Sequence, residues 1–268
     1  IALVGDRARK TFDLSEHGQV RALAVHPSDP TLVAVDTWMK RRIQGILSPP
    51  EAVGGWLLLY DLESETVLSK EKVSILKAEP VGLVAFSPDG ALVAAATVVG
   101  IRDLGHNRHV VTSAAVRERR LKDFRVRGTH AIGSFSLAFV SNTIFVVGSH
   151  QTIQVFGGAH DGKYLDGRAE ASSEGISHFA GGATVFAHNF GAVYDLDSTR
   201  EGRCLSLSSG AAYAEGELRI WSTHTWEESQ EPLHLAPCPA SVALDPSGTR
   251  LLVGYYGGRV EIRSLLRP

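Results

Sequence analysis

VGLVAFSPDGALVAAATV, residues 81–98, holds a complete structural unit. Val81, Leu83 and Ala85 alternate with Gly82, Val84 and Phe86, so both sets of side chains are apolar. Ser87-Pro88-Asp89-Gly90 follows, and a second run of small and β-branched residues starts at Ala91. Proline presets φ for a turn, and glycine accepts the positive φ that a turn often needs near its end. Runs this apolar on both faces do not leave one face to water. The stretch therefore predicts a β-hairpin packed on both sides.

The unit recurs. Residues 20–35 read VRALAVHPSDPTLVAV, residues 135–148 FSLAFVSNTIFVVG and residues 242–254 VALDPSGTRLLVG, each an apolar run, a polar turn and an apolar run. A second unit, a strand ending in an aromatic followed by a polar turn and another strand, appears at 57–68 (LLLYDLESETVL), 192–207 (AVYDLDSTREGRCLSL) and 218–235 (LRIWSTHTWEESQEPLHL). Alternating the two puts four strands in a repeat of about 40 to 45 residues, the sequence mark of β-propeller blades. The fold class is therefore all-β, a propeller of four-stranded antiparallel blades. Counting strand sets gives six blades and a remainder, so seven are expected, with six as the alternative. Regularity fails between Tyr194 and Trp221, which stand too close for successive blades. Either that blade is abbreviated, or residues 192–197 form the inner strand of the next.

Phe86-Ser87-Pro88-Asp89-Gly90, together with Tyr60-Asp61, Tyr194-Asp195 and Trp221-Ser222 at strand ends, makes the chain resemble a WD40-type β-propeller with degenerate repeats. His130 precedes Leu137-Ala138-Phe139 at the distance of that family's histidine before the innermost strand, and His17 stands one residue too close to do so. The resemblance covers nearly the whole chain and implies a scaffold or substrate-recognition role in a larger assembly. It also implies a buried set of His, Ser or Thr, Asp and Trp in each blade, and no blade has all four. The third offers His130 and Ser149, but His150 stands near the aspartate's place and Phe156 replaces the tryptophan. Apolar packing is expected to hold the blades instead.

Hydrophobic residues make up 44% of the 268 and charged residues 21%, a balance that buries a large core in a water-exposed fold. A net charge of -2 provides no field to attract nucleic acid or anionic lipid. Residues 117–127, RERRLKDFRVR, are locally basic. As an outermost blade strand they read as a solvated edge rather than an RNA-binding stripe, since only Phe124 is there for a base to stack on. No stretch reaches the ~20 apolar residues of a membrane helix. Cys204 and Cys238 lack metal-ligand spacing and read as two free thiols, which suits a reducing, cytoplasmic setting.

One domain is expected over residues 1–268, itself a candidate piece of a longer chain because it opens Ile1-Ala2 without methionine. The N-terminal strand at 10–14 is expected to close the ring beside 260–265, removing an exposed edge. Between Val35 and Trp56 lies an insertion too long for a hairpin turn, carrying Trp38, Met39, Lys40, Arg41, Arg42, Ile43 and Leu47. Aromatic and arginine side chains on loops suit partner capture. The plainer alternative folds its apolar members back onto the blade.

These observations point to a non-catalytic protein-interaction module that uses no cofactor and whose partner is a protein. Its candidate contacts are Trp38, Met39, Arg41 and Arg42 of the insertion, with His150, Phe190, Tyr255 and Tyr256 from other hairpin ends. The alternative is a propeller enzyme, a metal-dependent hydrolase or lyase, with Asp36, His150 and His188 at the mouth of the axial channel and Asn189 beside them. No phosphate-binding glycine loop, Gly-x-Ser-x-Gly elbow, HExxH or CxxC occurs.

Overall fold

The computed structural model describes residues 2–4, 9–41, 51–72, 82–101, 106–130, 136–148, 152–157, 178–179, 182–186, 192–198, 203–209, 216–223, 225, 227–235, 238–245 and 249–265. The chain divides into two units, Ile1–Ala131 and Ile132–Pro268.

In the first unit, β1 (Ala2–Val4) and β2 (Arg9–Thr11) form a two-stranded ribbon, with Lys10 opposite Leu3 and Thr11 opposite Ala2. A 3-10 turn at Ser15–His17 leads into β3 (Gln19–Val25), β4 (Leu32–Arg41), β5 (Glu51–Asp61) and β6 (Thr66–Lys72), an antiparallel sheet in chain order. The second sheet repeats the pattern with β7 (Gly82–Phe86), β8 (Leu92–Ile101), β9 (His106–Arg117) and β10 (Arg120–His130). His130, expected just ahead of an innermost strand, is the last residue of β10, opposite His109.

The period-2 alternation of strands explains why both hairpins read as continuous apolar runs. Leu32, Ala34, Leu57 and Leu59 point one way, into a core with Val93, Ala95, Ala114 and Leu121 of the second sheet. Val33, Val35, Leu58 and Tyr60 point the other way and bury Phe12 and Leu14, with Phe12 edge-on to Tyr60 at 6.0 Å. The small alanines let the sheets approach closely.

The Ser87 to Gly90 turn forms as its residues predict. Gly90 takes φ +75°, its N–H donates to Ser87 O at 2.8 Å, and the Ser87 hydroxyl donates to Asp89 Oδ1 at 2.6 Å. A Cβ on Gly90 would run into the His26 ring from the neighbouring sheet. The Ser28 and Asp29 amides donate to His26 Nδ1, so the proton sits on Nε2 and faces Gly90 O at 3.2 Å. His26 thus ties the two turns together.

Beside it, Arg119 makes a second clasp. It occupies the β9–β10 turn at φ 57° and donates from Nη2 to Asp61 Oδ1 at 3.1 Å and to Thr31 Oγ1 at 2.9 Å, with Asp29 Oδ2 at 3.5 Å. Residues 117–127 are not one strand, since Arg117 ends β9; Arg120 and Lys122 stay exposed on the edge strand β10, but Arg119 joins the sheets. The Ser64 hydroxyl and Glu63 amide also hold the Asp61 carboxylate and, with Arg119, keep it below its ordinary range. Arg119→Ala should cost about 1–2 kcal/mol, because Asp61 is buried but keeps its two local donors. A lower urea midpoint with an unchanged slope would show it; an unchanged midpoint would make the clasp ornamental.

In the second unit, β11 (Ser136–Phe139), β12 (Ile144–Gly148), β13 (Thr152–Gly157), β14 (His178–Phe179) and β15 (Gly182–Phe186) form one sheet in the order β11-β12-β13-β15-β14. The next holds β16 (Ala192–Ser198), β17 (Arg203–Ser209), β18 (Gly216–Ser222) and β19 (Leu233–Leu235) in chain order, and the last only β20 (Pro239–Leu244), β21 (Arg250–Tyr255) and β22 (Val260–Ser264). Tyr194 and Trp221 therefore lie on the first and third strands of one sheet. That is why they are so close in sequence. Residues 192–198 form the first strand of that sheet, and residues 182–186 pair with β13 in the preceding one. Among the described residues there are five sheets of three or more strands, where seven or six were expected.

Phe139, Phe145 and Phe156 pack together in the first sheet of the second unit. Phe145 stacks on Phe156 at 5.2 Å and 15°, and tilts against Phe139 at 5.4 Å. A neighbouring core joins Val146, Ile153 and Val155 to Cys204 and Trp221. Cys204 is buried and Cys238 partly so, and no disulfide joins them.

Candidate functional site

In the first unit the clasped turns occupy one end of the two sheets, and Arg41 with Glu51 and Ile101 with His106 close the described ladders at the other. There the residues expected on a loop are largely strand. β4 runs to Arg41 and β5 begins at Glu51, and their ladder continues through Trp38 opposite Gly55, Met39 opposite Gly54, Lys40 opposite Ala52 and Arg41 opposite Glu51. The insertion lengthens a hairpin because its Thr-Trp-Met and Gly-Gly-Trp segments satisfy their backbone groups against each other. Arg42, Ile43 and Leu47 lie outside the described residues, as do the Met39 and Arg41 side chains.

Alternation places Asp36 and Trp38 on the same face of β4 as Leu32 and Ala34. A bulge between Val20 and Ala22 lifts Arg21 out of the regular ladder of β3, and its guanidinium lies 5.2 Å from the Trp38 ring. Trp38 is only 4% exposed, which matches the alternative in which the apolar members fold back onto the sheet. Trp38→Ala would weaken the fold rather than merely remove a contact.

Asp36 is 1% exposed, and among the described residues neither carboxyl oxygen has a hydrogen-bond partner; nor does Arg21 Nε. Gly82, opening β7, packs against this pair, and a Cβ there would collide with Arg21 Cβ and Asp36 Oδ2. Burial pushes the Asp36 carboxyl up to about 7, against the opposing pull of the Arg21 guanidinium. The group therefore exchanges its proton near neutral pH. Asp36 is thus a buried acid on β4, and the histidines named with it in the metal-dependent alternative lie outside the described residues. No set of three or more metal-ligating side chains occurs among the described residues. His150, His188, Asn189 and Phe190 lie outside them.

On β5, Trp56 is half-buried under two cations, with Lys70 Nζ 4.2 Å and Lys72 Nζ 6.0 Å from its ring. In the second unit Tyr255 ends β21 buried, its hydroxyl donating to Glu261 Oε2 at 2.8 Å and Arg259 lying 5.0 Å over its ring. Burial and that hydrogen bond hold the phenol above its ordinary value. Tyr256, by contrast, is 63% exposed. Of the candidate contacts with described side chains, Tyr256 alone presents a large surface to water.

Arg21 and Gly82 escaped the sequence reading because neither belongs to a motif. The available signal was Asp36 itself, a carboxylate on the same face as Leu32, Ala34 and Trp38.

The successive antiparallel sheets define an all-β protein of β-propeller-like fold. No family model matches the chain, and no curated protein matches it. Among solved structures it is similar to the tricorn protease, with a TM-score of 0.57 and 13% identity over 96% of this chain. The likeness is one of fold, to a protease that contains β-propellers. This chain spans about a quarter of that one, covering 26% of its length. No helix among the described residues is long and apolar enough to cross a membrane.

Proposed function

We propose that the chain is a WD40-like, non-catalytic protein-interaction module that captures its partner with hairpin tips at the unclasped end of the first unit. The observation that carries this reading is the reach of the β4–β5 ladder. β3 ends where Gln19 meets Trp38, yet β4 and β5 remain paired through Arg41 and Glu51. In the second sheet β8 and β9 are likewise a long pair, joined from Leu92 opposite Ala115 to Ile101 opposite His106. The β4–β5 ladder thus extends past β3, on a base held by Trp38 below and by the His26 and Arg119 clasps at the far end. Met39, Arg41 and Arg42 carry the contact on this reading, with Trp38 as its buried footing. His150, Phe190, Tyr255 and Tyr256 stand as candidate contacts elsewhere in the chain. Two free thiols favour a reducing compartment such as the cytoplasm.

A pull-down from the native source, comparing the intact chain with one whose residues 42–50 are replaced by a short Gly-Ser turn, tests the reading. A protein captured by the first and lost from the second, with melting unchanged, is the expected result. Equal capture by both would move the contact elsewhere. No captured protein, together with a bound divalent metal in elemental analysis, would overturn the module in favour of a hydrolase.

A further inference from the structure

We infer that the outer edge of β22 joins two copies of this chain through a two-fold antiparallel strand pair centred on Ile262. The last sheet stops at three strands, and β22 is its edge among the described residues. Edge strands usually carry charge or a bulge to discourage pairing. Here Val260 is 63% and Ile262 71% exposed, and Leu252, opposite Ile262, adds to the same apolar face.

Hydrogen bonding fixes which backbone groups are free to pair. Tyr255 N donates to Arg259 O at 2.9 Å and Leu265 N to Thr249 O at 2.8 Å. Hydrogen-bonded pairs alternate along an antiparallel ladder, so Arg259, Glu261, Arg263 and Leu265 turn their amide groups towards β21. Val260, Ile262 and Ser264 turn theirs to the open edge.

Charge then selects the occupant and the register. In a two-fold antiparallel pair centred on Ile262, Ile262 faces its own copy and Val260 faces Ser264, so all three outward residues form hydrogen-bonded pairs. Glu261 then faces Arg263 of the other copy, twice over by symmetry. Shifting the centre to Glu261 or to Arg263 sets like charges opposite each other. Within one chain Glu261 already accepts from Arg263 Nε at 2.7 Å, so the pairing extends an existing charge ladder. The segment Val-Glu-Ile-Arg-Ser is self-complementary about its central residue. This surface lies in the second unit and is independent of the hairpin tips proposed above.

Analytical ultracentrifugation over a concentration series tests the inference. Wild type should sediment as a dimer that dissociates on dilution. Ile262→Lys should be a monomer with unchanged melting, since the side chain it replaces is exposed. Glu261→Arg alone and Arg263→Glu alone should each weaken self-association by roughly tenfold or more, because each sets like charges opposite each other. An equimolar mixture of the two variants should dimerise again, since Arg meets Glu at every cross-strand position. Wild type that stays monomeric, or a dimer indifferent to Ile262→Lys, overturns the inference. So does a monomer in which Thr11→Cys and Ile262→Cys form a disulfide, which would give the edge to the chain's own N-terminal strand.

Discussion

Asp36→Asn is expected to make the protein more stable by about 2–4 kcal/mol at pH 8 and to change it by less than about 1 kcal/mol at pH 4.5. The sign follows from where the proton sits. In the folded protein burial holds the carboxyl protonated up to about 7, whereas in the unfolded chain it ionises around the ordinary value of 3.8. Between those values the folded state binds more protons than the unfolded state. Stability therefore falls as pH rises through this window, and the loss is complete above the folded value. Each pH unit of that window is worth about 1.4 kcal/mol, and the window spans about three. Asparagine has nearly the same shape and remains neutral, so it escapes the loss, while at low pH both side chains are uncharged and leave similar polar atoms buried. Urea unfolding of both proteins at the two pH values measures the difference. A gap that does not change with pH would mean that Asp36 is ionised and paired in solution.

Phe145→Ala should cost about 3–5 kcal/mol. Phe145 is 1% exposed and lies between Phe139 and Phe156, so truncation removes a ring from the centre of a three-ring stack and leaves a cavity among strands that cannot close over it. Phe145→Leu should recover roughly half of the loss, because it restores volume without restoring the stacking. Denaturant unfolding compares the three proteins. A loss below about 1 kcal/mol for the alanine variant would show that the site collapses freely and that the stack is not the anchor of this sheet.

The first prediction depends on a residue that the sequence marks only by its incongruity, the second on a substitution that the sequence shows openly. Phe156 stands where the resembled family has tryptophan, and it packs in a cluster of three phenylalanines. The hairpins at 20–35, 81–98, 135–148 and 242–254 were legible for the same local reason. Their alternation and turn residues act over a few positions, and β3–β4, β7–β8, β11–β12 and β20–β21 form there. The length of the β4–β5 hairpin was not legible. Met39-Lys40-Arg41 looks like loop until Gly54, Ala52 and Glu51 are brought opposite it. The burial of Trp38 and Tyr255 was not legible for a related reason. An aromatic near a strand end is equally suited to a rim or a core, and only the neighbouring sheet or strand decides which.

Sequence by itself determined the all-β class and the hairpin units, because alternation and turn chemistry are properties of adjacent residues. Only the tertiary structure decided the partition of strands into sheets, which makes Tyr194 and Trp221 members of one sheet. It also decided that Arg119 clasps Asp61 across two sheets and that Asp36 is buried beside Arg21 against Gly82. Sheet membership, ion pairing and burial depend on which distant segments meet. Those meetings are set by the packing of whole faces, which no local pattern encodes.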